Sequence, residues 1–122
     1  NTLIESYPDG QDVEVFSFNS LTKAWKESVL FSDREHVTPY MKRNFNVLNI
    51  HSNNMNFNKV RMTVDEPNDF MVIKRLVDKL GLNEKWENYT NLYLNDKTIG
   101  SINGSITRNE GYIKSINKDL TN

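Results

Sequence analysis

Apolar residues recur at helical spacing at Phe70, Ile73, Leu76, Val77 and Leu80, which predicts the helix that the rest of the chain is read around. Pro67 opens it, where its missing N–H would have had no partner, and Asp69 adds negative charge where the helix dipole favours it. Gly81 follows the last apolar position as a helix stop. Just upstream, Val60, Met62 and Val64 alternate, and this predicts a strand over 58–64 that ends on Asp65. A carboxylate at the carboxyl end of a strand lies where open α/β sheets bind ligands.

The same two periods mark out the remaining elements. Pro8-Asp9-Gly10 predicts a turn before an alternating stretch from Asp12 to Phe18, read as a strand with apolar residues on both faces. Its one interruption is Glu14, at an edge in water or in a site. Asn19 or Ser20 is expected to cap a helix whose stripe is Leu21, Ala24, Trp25, Ser28 and Val29, with Trp25 in the core. The polar cluster 32–36 precedes Thr38-Pro39, a start for a short helix through Met41 and Arg43. That cluster is either a solvated turn or a substrate-contacting loop in which Arg34 holds a carboxylate or phosphate. Phe45, Val47, Leu48 and Ile50 predict another strand, joined by a hairpin to the strand at 58–64. A further helical stretch is expected to begin at Leu82-Asn83-Glu84-Lys85 and to carry Trp86, Tyr89, Leu92, Tyr93 and Asp96 at helical spacing, with Asn91 and Asn95 facing water, and a final amphipathic turn over Ile113, Ile116 and Leu120 is expected to dock on the body or on a partner subunit.

Composition narrows the possibilities. An apolar fraction of 37% implies a thin core, and 11% aromatic residues with clear periodicity argue against disorder. With 15 basic and 16 acidic residues the net charge is −1, so the basic excess that marks nucleic-acid binding is missing. The absence of cysteine excludes disulfides and thiolate chemistry and fits a cytoplasmic setting. No apolar run approaches the roughly 20 residues that span a bilayer. His36 and His51 lie far apart, without metal-ligand spacing. The first ten residues carry neither an initiator methionine nor a signal pattern, and the chain is expected to begin inside a longer protein.

Five motifs occur in order: Tyr7-Pro8-Asp9-Gly10, Asp12-Val13-Glu14-Val15-Phe16, Arg34-Glu35-His36-Val37-Thr38-Pro39-Tyr40, Thr63-Val64-Asp65 with Pro67 and Asp69, and Arg108-Asn109-Glu110-Gly111-Tyr112. Together they resemble the back half of the spore-coat-polysaccharide cytidylyltransferase family, relatives of the CMP-sugar synthetases, over nearly the whole chain. The resemblance implies α/β architecture: residues 1–122 as the C-terminal portion of a single three-layer nucleotide-diphospho-sugar-transferase-like domain with a mixed sheet. The family's front half, with its glycine- and arginine-rich nucleotide loop, has no counterpart here, and no phosphate-cradling glycine motif replaces it. This piece alone is therefore not expected to bind CTP well or to be active. Glu66 also departs from the small or polar residue that the family often carries there.

The implied chemistry is attack of a sugar hydroxyl on the α-phosphate of CTP, with magnesium neutralising the phosphate charge. By resemblance, Asp65 supplies a metal ligand, and Asp12, Glu14, Arg34, Glu35 and His36 contact substrate. A plain helix cap is the other reading of Asp65. The expected function is activation of a sugar or sugar acid with CTP for surface polysaccharide or glycoconjugate synthesis. A non-catalytic folding or dimerisation module and part of a nucleotide-sugar-dependent glycosyltransferase are the alternatives. Self-association is expected through sheet edges left unpaired by the missing half; no nucleic-acid or membrane partner is expected.

Overall fold

The computed structural model describes residues 1–121. Seven helices occupy them: α1 (Phe18–Glu27), α2 (Phe31–His36), α3 (Pro39–Asn44), α4 (Pro67–Leu80), α5 (Trp86–Asn95), α6 (Lys97–Gly100) and α7 (Glu110–Thr121), with a 3-10 turn at Met55–Lys59. They fall into two compact units. The first joins Asn1–Val13 to Ile50–Arg108, and the second joins Glu14–Asn49 to the segment from Asn109 onward.

The α/β architecture with a mixed sheet is not what the chain forms. Among the described residues no sheet is present, and β pairing is limited to one isolated parallel bridge between Asp9 and Arg61. There the Asp9 N–H donates to the Val60 carbonyl at 2.9 Å and the Met62 N–H donates to the Asp9 carbonyl at 2.8 Å. The stretches expected as strands at 12–18 and 45–50 run irregularly before the helices begin, and Val15 and Leu48 are 93% and 87% exposed. A helix closes its hydrogen bonds within its own segment, whereas a strand needs a neighbour. Alternating apolar residues therefore do not make a strand where no second segment supplies the ladder. The expected hairpin before residue 58 is replaced by the 3-10 turn, which Asn54 caps by accepting the Asn56 N–H at 3.0 Å.

The bounds of α4 follow the sequence closely, but its buried face is turned away from the expected stripe. Helix α4 starts at Pro67 and stops before Gly81, whose φ is 81°. Its buried face is Asp69, Val72 and Leu76, while Phe70, expected inside, is 59% exposed. Val72, Leu76, Val60, Tyr93 and Ile99 form the core, flanked by Met62, Ile73, Tyr89, Leu92, Leu94 and Ile102. Helix α5 begins at Trp86 and not in the stretch 82–85; it buries Tyr93 and leaves Asn91 and Asn95 outside, as its spacing predicts, and it also buries Thr90, which lies outside the expected stripe.

In the second unit, Ser17 rather than Asn19 or Ser20 caps α1, its hydroxyl accepting the Ser20 N–H at 3.1 Å. That register turns Ala24 and Ser28 inward and leaves Trp25 68% exposed, not in the core. Small side chains at the contact face and a large one outside are the reverse of the expected arrangement. In α7 the inward residue is Ser115, and Ile113, Ile116 and Leu120 are exposed.

Gly10 has a φ of 93°, and a Cβ there would stand 2.7 Å from the Met62 carbonyl oxygen and 2.9 Å from the Thr63 nitrogen; Gly81 also has positive φ but has open space around it. Both substitutions to alanine carry positive-φ backbone strain of about 1–3 kcal/mol, and only Gly10→Ala adds a backbone clash. Gly10→Ala is expected to lower the urea midpoint clearly more than Gly81→Ala, and equal losses would contradict the close approach of residues 10 and 62.

Candidate functional site

The centre of the first unit is Asp69. From the first turn of α4 its carboxylate accepts the backbone N–H of Asp65 at 3.2 Å and of Glu66 at 3.1 Å, so it closes the helix end as an acidic residue at the third position does. It also accepts the Thr63 hydroxyl at 2.9 Å, Asn103 Nδ2 at 2.8 Å, and a two-pronged approach from Arg61, Nε at 3.0 Å and Nη2 at 2.9 Å. The residue is wholly buried. Burial alone would raise its pKa, but the hydrogen bonds from Arg61, Asn103, Thr63 and Glu66 outweigh that and hold the carboxyl well below the usual range. With both oxygens surrounded by donors, Asp69 has no room to ligate anything else.

Arg61 carries the cluster outward. Its Nη1 donates to Asp9 at 2.9 Å and its Nη2 lies 3.3 Å from Asp65. Asp9 is buried at the bridge, and desolvation pushes its carboxyl upward against the pull of Arg108 and Arg61. Arg108 donates to the Tyr7 carbonyl at 3.0 Å and to Asp12 at 2.7 Å, and its Nε lies 3.3 Å from Glu5 and 3.9 Å from Asp9. Five carboxylates thus face two guanidiniums, a formal charge of −3. Asp65 stands at the rim with its side chain 72% exposed. Asp12 and Asp65, both expected in a site, therefore belong to one ion-pair cluster.

Glu14, Arg34, Glu35 and His36 lie in the second unit. Glu14 pairs with Lys42 at 2.6 Å. Glu35 and His36 both turn to Ser115 of α7: the hydroxyl donates to Glu35 in a very short hydrogen bond and lies 3.0 Å from His36 Nε2. His36 also packs edge-on against Tyr112, with ring centroids 5.2 Å apart. Ser115 is buried, and its hydroxyl joins α2 to α7. Asp33 takes both of its hydrogen bonds, at 2.7 and 2.6 Å, from Arg43 Nη2, and Asp119 of α7 accepts the Phe31 and Ser32 N–H groups that open α2, at 2.7 and 3.3 Å. Arg34 points elsewhere, over the ring of Trp25 at 5.8 Å from its centroid.

The turn after His36 is strained. Val37 has φ 67° and ψ −52°, and the Thr38 N–H donates to the His36 carbonyl at 2.7 Å. This is a γ-turn of the rarer hand with a β-branched residue at its centre.

Asp9, Asp69 and Arg108 lie within the sequence motifs, whereas Arg61 and Asn103, which join them, lie outside those motifs. Asp69 three residues after Glu66 has the spacing of a capping acid, and Arg61 stands between Val60 and Met62 in an apolar alternation. Asn103 carries no local signal. Among the described residues no group of three acidic, histidine or cysteine side chains is arranged to hold a metal ion, and no helix is long and apolar enough to cross a membrane.

An uncharacterized protein of Methanocaldococcus jannaschii is 35% identical to the chain over 71 residues, which are 55% of this chain and 29% of that protein. The match thus spans under a third of the relative's length. No family model matches the chain, and no solved structure matches it.

Removing the charge of Asp69 takes the two-pronged partner from Arg61, whose side chain is 11% exposed, and leaves it only Asp9 and the rim residue Asp65. Asp69→Asn is expected to cost about 3–5 kcal/mol at neutral pH. Because the folded pKa of Asp69 lies below the unfolded value of about 3.9, its contribution is complete above about pH 5 and is lost as pH falls further. Asp9, with its pKa raised, opposes part of that loss. Urea midpoints at several pH values should show a flatter acid limb in the variant; an unchanged limb would remove Asp69 as its source. Val37→Gly relieves the γ-turn strain, and unfolding free energy should rise by about 1 kcal/mol once the entropy of glycine is deducted; a marked loss would rule out the positive φ.

Proposed function

We propose that the chain is part of a cytoplasmic nucleotidyltransferase that transfers CMP from CTP to a sugar or sugar acid for surface polysaccharide or glycoconjugate synthesis. The observation that supports this reading is convergence. Asp9, Asp12, Asp65, Asp69 and Arg108 come from four of the five stretches that resemble the cytidylyltransferases, and Arg61 and Arg108 tie them into one cluster. Within it the roles divide by exposure: Asp69 is saturated and holds the loop, and Asp65 presents a carboxylate at the edge. The surplus negative charge suits a cation.

Magnesium takes one or two carboxylates and completes its shell with water and substrate phosphates, so a lone carboxylate fits as part of such a site. Asp65 would hold the ion, which supplies charge neutralisation at the phosphates. The backbone N–H of Asp65, fixed on Asp69, and the Arg61 guanidinium keep that carboxylate oriented. A non-catalytic module that self-associates is the second reading, favoured by the exposure of Val15, Phe18 and Leu48. Light scattering that finds only monomer at high concentration would count against self-association.

Asp65→Asn tests the first reading in the longer protein that the proposal implies. Because the side chain is exposed, thermal melting should change by under about 0.5 kcal/mol. Pyrophosphate release from CTP across a panel of sugars and sugar acids should fall by orders of magnitude, with a changed magnesium dependence. Wild-type turnover with unchanged magnesium dependence would leave Asp65 as an ordinary residue of the helix entry.

A further inference from the structure

The first unit turns on one buried asparagine. Asn103 Nδ2 donates to Asp69 Oδ1 at 2.8 Å and to the Arg61 carbonyl at 3.1 Å, and its Oδ1 accepts the Tyr93 hydroxyl at 2.8 Å. An amide can donate to a carboxylate and a carbonyl while it accepts from a hydroxyl, whereas an aspartate would bring acceptors alone. The residue after it is fixed as well. The Gly104 N–H donates to the Gly100 carbonyl at 3.1 Å, and a Cβ on Gly104 would stand 2.6 Å from that carbonyl oxygen. The packing thus demands asparagine followed by glycine, a pair that occurs nowhere else in the chain. In an unfolded chain that pair is labile, because glycine has no side chain to keep the asparagine Cγ away from the next backbone nitrogen.

We propose that Asn103-Gly104 is a site of spontaneous deamidation, closed by the fold and opened when the first unit unfolds, whose product cannot rebuild the native cluster. The Gly104 nitrogen gives up its proton and attacks Cγ of Asn103; a C–N bond forms, the side-chain amide leaves as ammonia, and a succinimide ring remains. Water then adds to either ring carbonyl and opens the ring to aspartate or isoaspartate, so no oxidant or reductant takes part. In the folded state the attack would first break the hydrogen bonds of the Asn103 side chain to Asp69, Arg61 and Tyr93 and that of Gly104 to Gly100, so it waits on local opening. Either product obstructs refolding. Aspartate sets a second carboxylate against the buried Asp69, where like charges resist ionising together. Isoaspartate lengthens the main chain where Gly104 packs closely on Gly100. Unfolding of this unit therefore becomes irreversible by chemistry within the chain.

The test holds the 122-residue chain in mildly alkaline buffer, either folded or in urea above its unfolding transition, and follows Asn103 by peptide mapping with mass spectrometry. Because the reaction tracks the population of opened chains, the folded protein should deamidate at least about tenfold more slowly than the unfolded one. Tyr93→Phe keeps the ring in the core and removes the hydroxyl that holds Asn103. With circular dichroism confirming that this variant folds, its folded-state rate should rise about threefold or more. After urea is removed, ion exchange separates the deamidated chains, which carry an added negative charge, and these should show a lower urea midpoint or no transition. Isomerisation at Asp9-Gly10 adds no charge and stays in the other fraction. Equal rates in folded and unfolded chains, an unchanged rate in Tyr93→Phe, earlier reaction at another asparagine such as Asn19, or a deamidated fraction with the native midpoint would each overturn the proposal.

Discussion

Arg61 and Asp69 exchange two hydrogen bonds where water is excluded, and the first unit depends on that pair being complete. A buried arginine and a buried aspartate are each costly alone, and together they are tolerated because both oxygens of the carboxylate find further donors in Thr63, Asn103 and the backbone before α4. Asn103 is in turn fixed by the Tyr93 hydroxyl, which donates to its side-chain oxygen at 2.8 Å, and by the Arg61 carbonyl, which accepts from its Nδ2 at 3.1 Å. The polar centre is thus continuous with the apolar core through Tyr93. One residue joins the hydrophobic packing of α4 and α5 to the placement of the Asp65 loop.

The second unit solves its problems differently. Helices α2 and α3 have six residues each, too short to persist on their own hydrogen bonds. They are held by ties from elsewhere in the unit: Asp119 closes the start of α2, Ser115 joins its end to α7, and Arg43 of α3 reaches Asp33. The same ties force the chain through the strained turn at Val37. The unit also leaves large apolar groups exposed, among them Trp25, Val29, Leu48 and Leu120.

By itself the sequence determined the elements whose hydrogen bonds are local. The start of α4 at Pro67, its stop at Gly81, the period of α5 and the turn at Gly10 follow from backbone chemistry within a few residues. The placing of Asp65 beside a helix entry was legible for the same reason. What the tertiary structure decided were the matters that depend on distant partners. The alternating stretches at 12–18 and 45–50 lack a ladder to join, Trp25 faces outward because Ala24 and Ser28 fill the contact, and Asp69, which reads as a helix cap, gathers Arg61 and, from thirty-four residues away, Asn103. Strand pairing and buried ion pairs are non-local in sequence, and no local pattern records which distant group will supply the missing hydrogen bond.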